Sequence, residues 1–205
     1  MFMKKLFGLF GYLVLPLVIA ALCPDAQAQN RANETYTGTV ISYGSGFNTR
    51  TRTGTFTLHI TGQTPQQQTQ RLLNVLQEGG QNQLLKEIDD QELGRFSVGA
   101  SVGVPINFVH ESTVDGKRRI FIVFERWTQF AELRGGYRSL DYPFGVIELF
   151  IDPRTGKGEG TYIAAARIRW DRNERTNQNQ IEIENFATYP ARLLGVTLRG
   201  GRQPR

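Results

Sequence analysis

Cysteine is almost missing from this chain. The single one, Cys23, lies in an N-terminal segment that reads as a removable leader, so the mature protein is expected to carry no thiol. That excludes disulfides, sulfur ligands for zinc and a thiolate nucleophile, and stability must come from packing. Histidine is nearly as scarce: His59 and His110 are the two present, with no H-x-x-x-H spacing between them. The acidic residues form no calcium-loop pattern either, since Glu87, Asp89, Asp90 and Glu92 fall on a stretch that reads as helix with a solvated face. No metal site and no cofactor is therefore expected.

What the first residues do contain is the pattern of an export signal. Lys4 and Lys5 precede an apolar run over residues 6–22, and Ala26-Gln27-Ala28 supplies the small-x-small site that a leader peptidase cuts. Pro16 interrupts that run and no positive cluster directly follows it, which speaks against a retained anchor. Leu22 stands before Cys23 where lipid attachment needs a small residue. Residues 1–28 are thus expected to be a signal peptide. Export across the inner membrane to the periplasm or beyond follows, with no membrane span left in the mature chain. Of 205 residues 177 remain, enough for one domain (29–205) with a proper core and too few for two. The formal charge falls from +5 to +4 as Lys4, Lys5 and Asp25 leave, a balance that favours an anionic envelope component as partner. Export reads against nucleic acid as the target of the Arg-Gly stretches at 133–136 and 198–202, and residues 200–205 are expected to be a flexible basic tail.

Alternation of period two dominates the rest. Phe56, Leu58 and Ile60 fall on one side of residues 55–61 and Thr55, Thr57, His59 and Thr61 on the other, a strand with one wet face. Residues 36–43 form its hairpin partner across Gly44-Ser45-Gly46. Further strands are expected at 104–111, 119–133, 146–151, 161–170, 180–186 and 196–199. The strand from 119 carries apolar residues on both faces, Ile120, Ile122 and Phe124 against Phe121, Val123 and Trp127, and so should be covered on both. Between 64 and 94 the period changes. Thr64, Pro65 and Gln67 suit a capped helix start, and the similar pieces RLLNVL and QLLKEI, divided by Gly79-Gly80, predict a hairpin of two short helices laid over the sheet and ended by Gly94. The fold class is α+β, mainly β: a curled or barrel-like antiparallel sheet of about seven or eight strands with an inserted helical hairpin.

Two motifs resemble chemistry that their context does not support. In Asp152-Pro153-Arg154-Thr155-Gly156 the residues suit a type I turn with a glycine bulge, whereas a phosphate-binding loop needs a helix next, and Thr161-Tyr162-Ile163 is strand-like. Gly99-Ala100-Ser101-Val102-Gly103 matches the serine-hydrolase elbow, yet Val104-Pro105-Ile106 cannot begin the helix it requires, and no histidine follows His110.

The more informative feature is charge set within apolar strands: Glu125 and Arg126, Glu148, Arg167 and Arg169. Ionised groups are costly to bury unless paired. Inside a curled sheet, these groups and Tyr162 would line a binding site; the alternative is a cross-strand ion-pair ladder on a wet face. The leading expectation is a non-catalytic envelope protein that binds a small apolar or amphipathic ligand or an envelope partner. One alternative is a barrel-type lyase or isomerase with Glu148 or Glu125 as acid or base and Arg167 or Tyr162 orienting the substrate; another is a structural assembly subunit. The oligomeric state leaves no mark in the sequence. The intact mass of the exported protein is expected to match a chain beginning at Gln29, and a mass that includes Cys23 would contradict the leader reading.

Overall fold

In a computed structural model, residues 33–43, 50–88, 90–126, 138–173, 178–186 and 189–200 are described. The strands are β1 (Glu34–Ser42), β2 (Arg52–Ile60), β3 (Gly94–Val98), β4 (Val104–Pro105), β5 (Phe108–Val114), β6 (Lys117–Glu125), β7 (Phe144–Ile151), β8 (Lys157–Asn173), β9 (Gln178–Asn185) and β10 (Ala191–Gly200). One helical segment, α1 (Gln66–Ile88), lies between β2 and β3. The strands form a single antiparallel sheet in the order β4-β3-β2-β1-β10-β8-β7-β6-β5, with β9 paired to β8. It curls into a half-barrel.

The turns follow their residues. Asp115-Gly116 joins β5 to β6, with Val114 opposite Lys117 and both turn residues at positive φ (51° and 73°), the geometry a two-residue hairpin needs. At 152–156 the Asp152 carboxylate accepts the Arg154 N–H at 2.8 Å, Gly156 N–H donates to the Asp152 carbonyl at 2.9 Å, and Gly156 takes φ 65°. A β-strand follows directly, so these glycines turn the chain. In the elbow-like stretch the Ser101 hydroxyl accepts the Val98 N–H at 3.3 Å and the chain runs on into β4.

Curling gives the sheet an inside. Tyr36, Phe56, Leu58, Phe96, Ile120, Ile122, Phe124, Ile147, Leu149 and Leu193 belong to one buried cluster there. The run 104–114 spans both ends of the sheet: Val104 is opposite Phe96 of β3, Phe108 is opposite Val123 of β6, and Asn107 N–H donates to the Val123 carbonyl at 3.2 Å. Residues of opposite parity face outward. Val123, Phe144, Val146, Ala166 and Ile168 form a second buried cluster with Leu72, Leu76, Leu84 and Ile88 of α1. The sheet from β6 to β8 is thus covered on both faces, as the apolar character of residues 119–124 requires.

Among the described residues the strands number ten rather than seven or eight. The added β3 is short and carries Phe96 as its one buried aromatic, and the strand expected over 104–111 divides at Ile106-Asn107, where it changes neighbour. In place of two separate helices there is one segment interrupted at Gly80, whose φ 68° and ψ −171° belong to glycine almost alone. Arg71 and Glu87 meet at 2.7 Å across the break, although an unbroken helix would hold them about 24 Å apart. The helical region ends at Ile88, and Gly94 opens β3. Thr64 does not cap α1, because its hydroxyl accepts the Val109 N–H at 3.1 Å and so ties the helix start to β5. The leader (1–28), the loop at 44–46, residues 127–133 of the long strand, 174–177 of the polar turn and 201–205 of the basic tail lie outside the described residues. Among the described residues no helix is long and apolar enough to cross a membrane.

Close strand approach accounts for Gly160 on β8. A Cβ there would meet the Glu148 carbonyl oxygen at 2.2 Å, whereas one at Gly54 would meet only Val40 and Val98 methyls at 3.8 Å. Gly160→Ala is expected to cost about 1–3 kcal/mol in urea denaturation, and Gly54→Ala to change stability by no more than about 0.5 kcal/mol.

Candidate functional site

The outer face under α1 is not filled. A cleft of about 330 Å³ opens between α1 and the sheet. From α1 it is walled by Leu72, Leu73, Leu76, Leu84 and Ile88. From the sheet come Phe108, Phe121, Val123, Ile168, Ile181 and Ile183. Alternation puts them there: Arg119, Phe121 and Val123 project outward from β6, opposite in parity to the inward Ile120, Ile122 and Phe124. Ile181 remains 44 % exposed at the rim.

Thr69, His110 and Arg119 complete the lining. The Thr69 hydroxyl donates to the Pro65 carbonyl at 3.2 Å. His110 lies opposite Phe121 in β6 and stacks on Phe108, ring centroids 6.4 Å apart. Arg119 places its guanidinium carbon 5.4 Å from the Phe121 ring centroid and donates from Nε to Glu148 at 2.6 Å. Apart from these three side chains the cleft wall is apolar. A second, more open depression of about 470 Å³ lies over β2 and β3, lined by Thr57, His59, Thr61, Glu92, Gly94, Arg95 and Ser97.

The residues singled out in the sequence are dispersed. Glu125 is exposed at the end of β6, its N–H donating to the Asn107 side chain at 3.0 Å. Arg126 is buried and donates to the carbonyls of Tyr142 (2.7 Å) and Ser139 (2.9 Å), which holds the turn at Arg138–Asp141 against the sheet. Arg167 lies 4.7 Å from the Tyr142 ring and pairs with Asp141 at 3.3 Å and Glu184 at 3.9 Å. Arg169 pairs with Glu182 at 3.0 Å and Glu184 at 3.3 Å, so these two arginines form a ladder across β8 and β9. Glu148 faces outward beside Arg119, while Tyr162 faces inward against Phe96, ring centroids 4.9 Å apart. Arg126 and Arg167 meet through Tyr142, while Glu148 lies with Arg119 on the outer face.

Sequence reasoning missed Arg119 as a cleft residue, though its place two positions before Phe121 on an apolar face was the available signal. It also missed a buried polar network across the curl. Arg118 donates to Glu34 at 2.7 Å, to the Tyr36 hydroxyl at 2.8 Å and to Glu111, which also accepts from the Gln63 side-chain amide. Burial works against the Arg118 charge, but the hydrogen bonds it donates to Glu111 and Glu34 outweigh it and raise the pKa above the ordinary guanidinium value. Burial likewise raises Tyr36, with Arg118 opposing.

The class these features define is a mainly β half-barrel with a packed interior and an apolar cleft on its outer face. No family model, curated protein or solved structure matches the chain.

Burial pushes Tyr162 up to about 12 from 10.0, with the Arg126 charge acting the other way. Above pH 10 the unfolded chain releases this proton while the folded protein keeps it. Stability therefore falls as pH rises from 10 toward 12, by as much as about 1.4 kcal/mol per pH unit for each such tyrosine. Tyr162→Phe is expected to flatten that fall in denaturation series, and an unchanged slope would contradict the burial argument.

Proposed function

We propose that this protein is an exported, non-catalytic binding protein of the cell envelope, and that it takes an apolar or amphipathic small molecule in the cleft between α1 and the outer face of β5, β6, β8 and β9. The observation that carries this is the cleft itself: its wall is aliphatic and aromatic save for Thr69, His110 and Arg119. Its volume falls at the lower end of the range for small-molecule sites, roughly 300–1,000 Å³. Each methylene withdrawn from water contributes about 0.8 kcal/mol, so one hydrocarbon chain supplies the driving force without a catalytic group. In this reading the arms of α1 act as a helical hairpin hinged at Gly80, and the run 104–114 is the seam that closes the sheet into a barrel. Export rests on the leader-like residues 1–28.

Exposed aromatics favour a second reading in which an envelope partner docks at one rim of the sheet. Tyr43 and Tyr189, just beyond the paired ends of β1 and β10, pack edge to face at 6.4 Å, and Tyr189 is 65 % exposed. Tyr and Trp often occupy such half-wet positions.

A fluorescent single-chain amphiphile is expected to bind the purified protein saturably. Leu73→Glu, which places a charge at a half-buried cleft position, should weaken binding tenfold or more, corresponding to about 1.4 kcal/mol. Tyr43→Ala should leave binding unchanged. Absence of saturable binding, or full affinity in Leu73→Glu, would contradict the cleft reading.

A further inference from the structure

We infer that the occupant of the cleft is a single-chain amphiphile with a carboxylate head, held in a fork by the two terminal amino groups of Arg119; this rests on the cleft reading above. Arg119 and Glu148 pair at 2.6 Å, but only Arg119 belongs to the cleft wall. The charge presented inward is therefore positive. The pair is made through Nε. Among the described residues, the two terminal amino groups of Arg119 have no hydrogen-bond partner. A guanidinium carries five N–H donors in a planar fork that matches the two oxygens of a carboxylate. Here Nε is spoken for, the terminal amino groups are left without a partner among the described residues, and the residue that carries them lines the cleft.

The neighbours hold the fork in place. Glu148 grips Nε from β7, and the Phe121 ring lies 5.4 Å from the guanidinium carbon. An arginine restrained in this way loses less conformational freedom on binding than a free one. With 36 % of its side chain exposed, it also reaches solvent, so a head group bound there keeps part of its hydration while the tail lies along Leu76, Val123 and Ile168. One guanidinium, already shared with Glu148, suits a single negative charge better than a doubly charged phosphate. The cleft volume of about 330 Å³ suits one chain rather than two.

The test compares a long-chain carboxylate, the alcohol of equal chain length and the matching alkyl phosphate, each titrated against the intact protein by calorimetry. The wild type is expected to bind the carboxylate at least tenfold more tightly than the alcohol and more tightly than the phosphate. In Arg119→Met the carboxylate should fall to the level of the alcohol, and Arg119→Lys should recover only part of the preference because an ammonium cannot form the fork. Glu148→Gln keeps an acceptor for Nε while removing a neighbouring negative charge, so it should bind the carboxylate severalfold more tightly; this variant decides the matter should Arg119→Met not fold. Equal binding of carboxylate and alcohol by the wild type, a preference that survives in Arg119→Met, stronger binding of the phosphate, or carboxylate affinity in Glu148→Gln that is unchanged or weaker would each overturn the inference while leaving the cleft reading standing. If none of the amphiphiles binds, both fall.

Discussion

The structure depends on one constraint: strands β6 and β7 bury apolar residues on both faces, and a single sheet can hide only one of them by curling. Ile120, Ile122 and Phe124 are buried inside the curl, while Val123, Val146 and Ile168 are buried outside it. The second face needs another layer, and α1 is the element that supplies it. It is interrupted at Gly80, and residues from both sides of that break, Leu72 and Leu76 before it and Leu84 and Ile88 after it, are buried against the sheet. Coverage is incomplete toward β5 and β9, and the cleft is the part left open.

The curl itself is sustained by polar as well as apolar contacts. Arg118 joins Glu34 of β1 to Glu111 of β5, strands that lie far apart along the sheet order. Breaking such a buried group from one side only would strand charge in a dry place, which makes it a specific tie. At the other end Arg126 fixes the turn before β7, and this turn in turn supplies Tyr142 and Asp141 to Arg167. Arg118, Arg126, Arg167 and Arg169 thus hold elements together, whereas Arg119, though paired with Glu148, also lines an apolar space.

Much of the fold was legible because alternation and turn chemistry are local. The wet threonine face of β2, the Asp115-Gly116 hairpin, the bulged turn at Gly156 and the helical stretch between β2 and β3 all follow from residues near one another in the chain. What was not legible is non-local. Alternation says that residues 119–124 have two apolar faces, but not which face turns inward. Nor does it say that residues 104–114 change neighbour at Ile106-Asn107. The charged residues were rightly seen as needing partners, but those partners are set by register: Glu184 lies opposite Arg167, and Glu148 lies opposite Phe121, diagonal to Arg119. A shared cluster of Glu125, Glu148 and an arginine was conditional on the curl turning their faces inward, and parity sends Glu148 outward and Tyr162 inward. The cleft could not be read from any one segment, since its walls come from α1 and several strands.

The central claim is that α1 lies on the outer face of the sheet and leaves an open apolar seam beneath it. Methyl-labelled nuclear magnetic resonance tests this directly. The account predicts contacts from the methyl groups of Leu72, Leu76 and Ile88 to those of Val123 and Ile168, together with access of a small apolar probe to Ile181 and Ile183. Helix methyl groups with no contact to β6 or β8, or a seam closed to the probe, would contradict it.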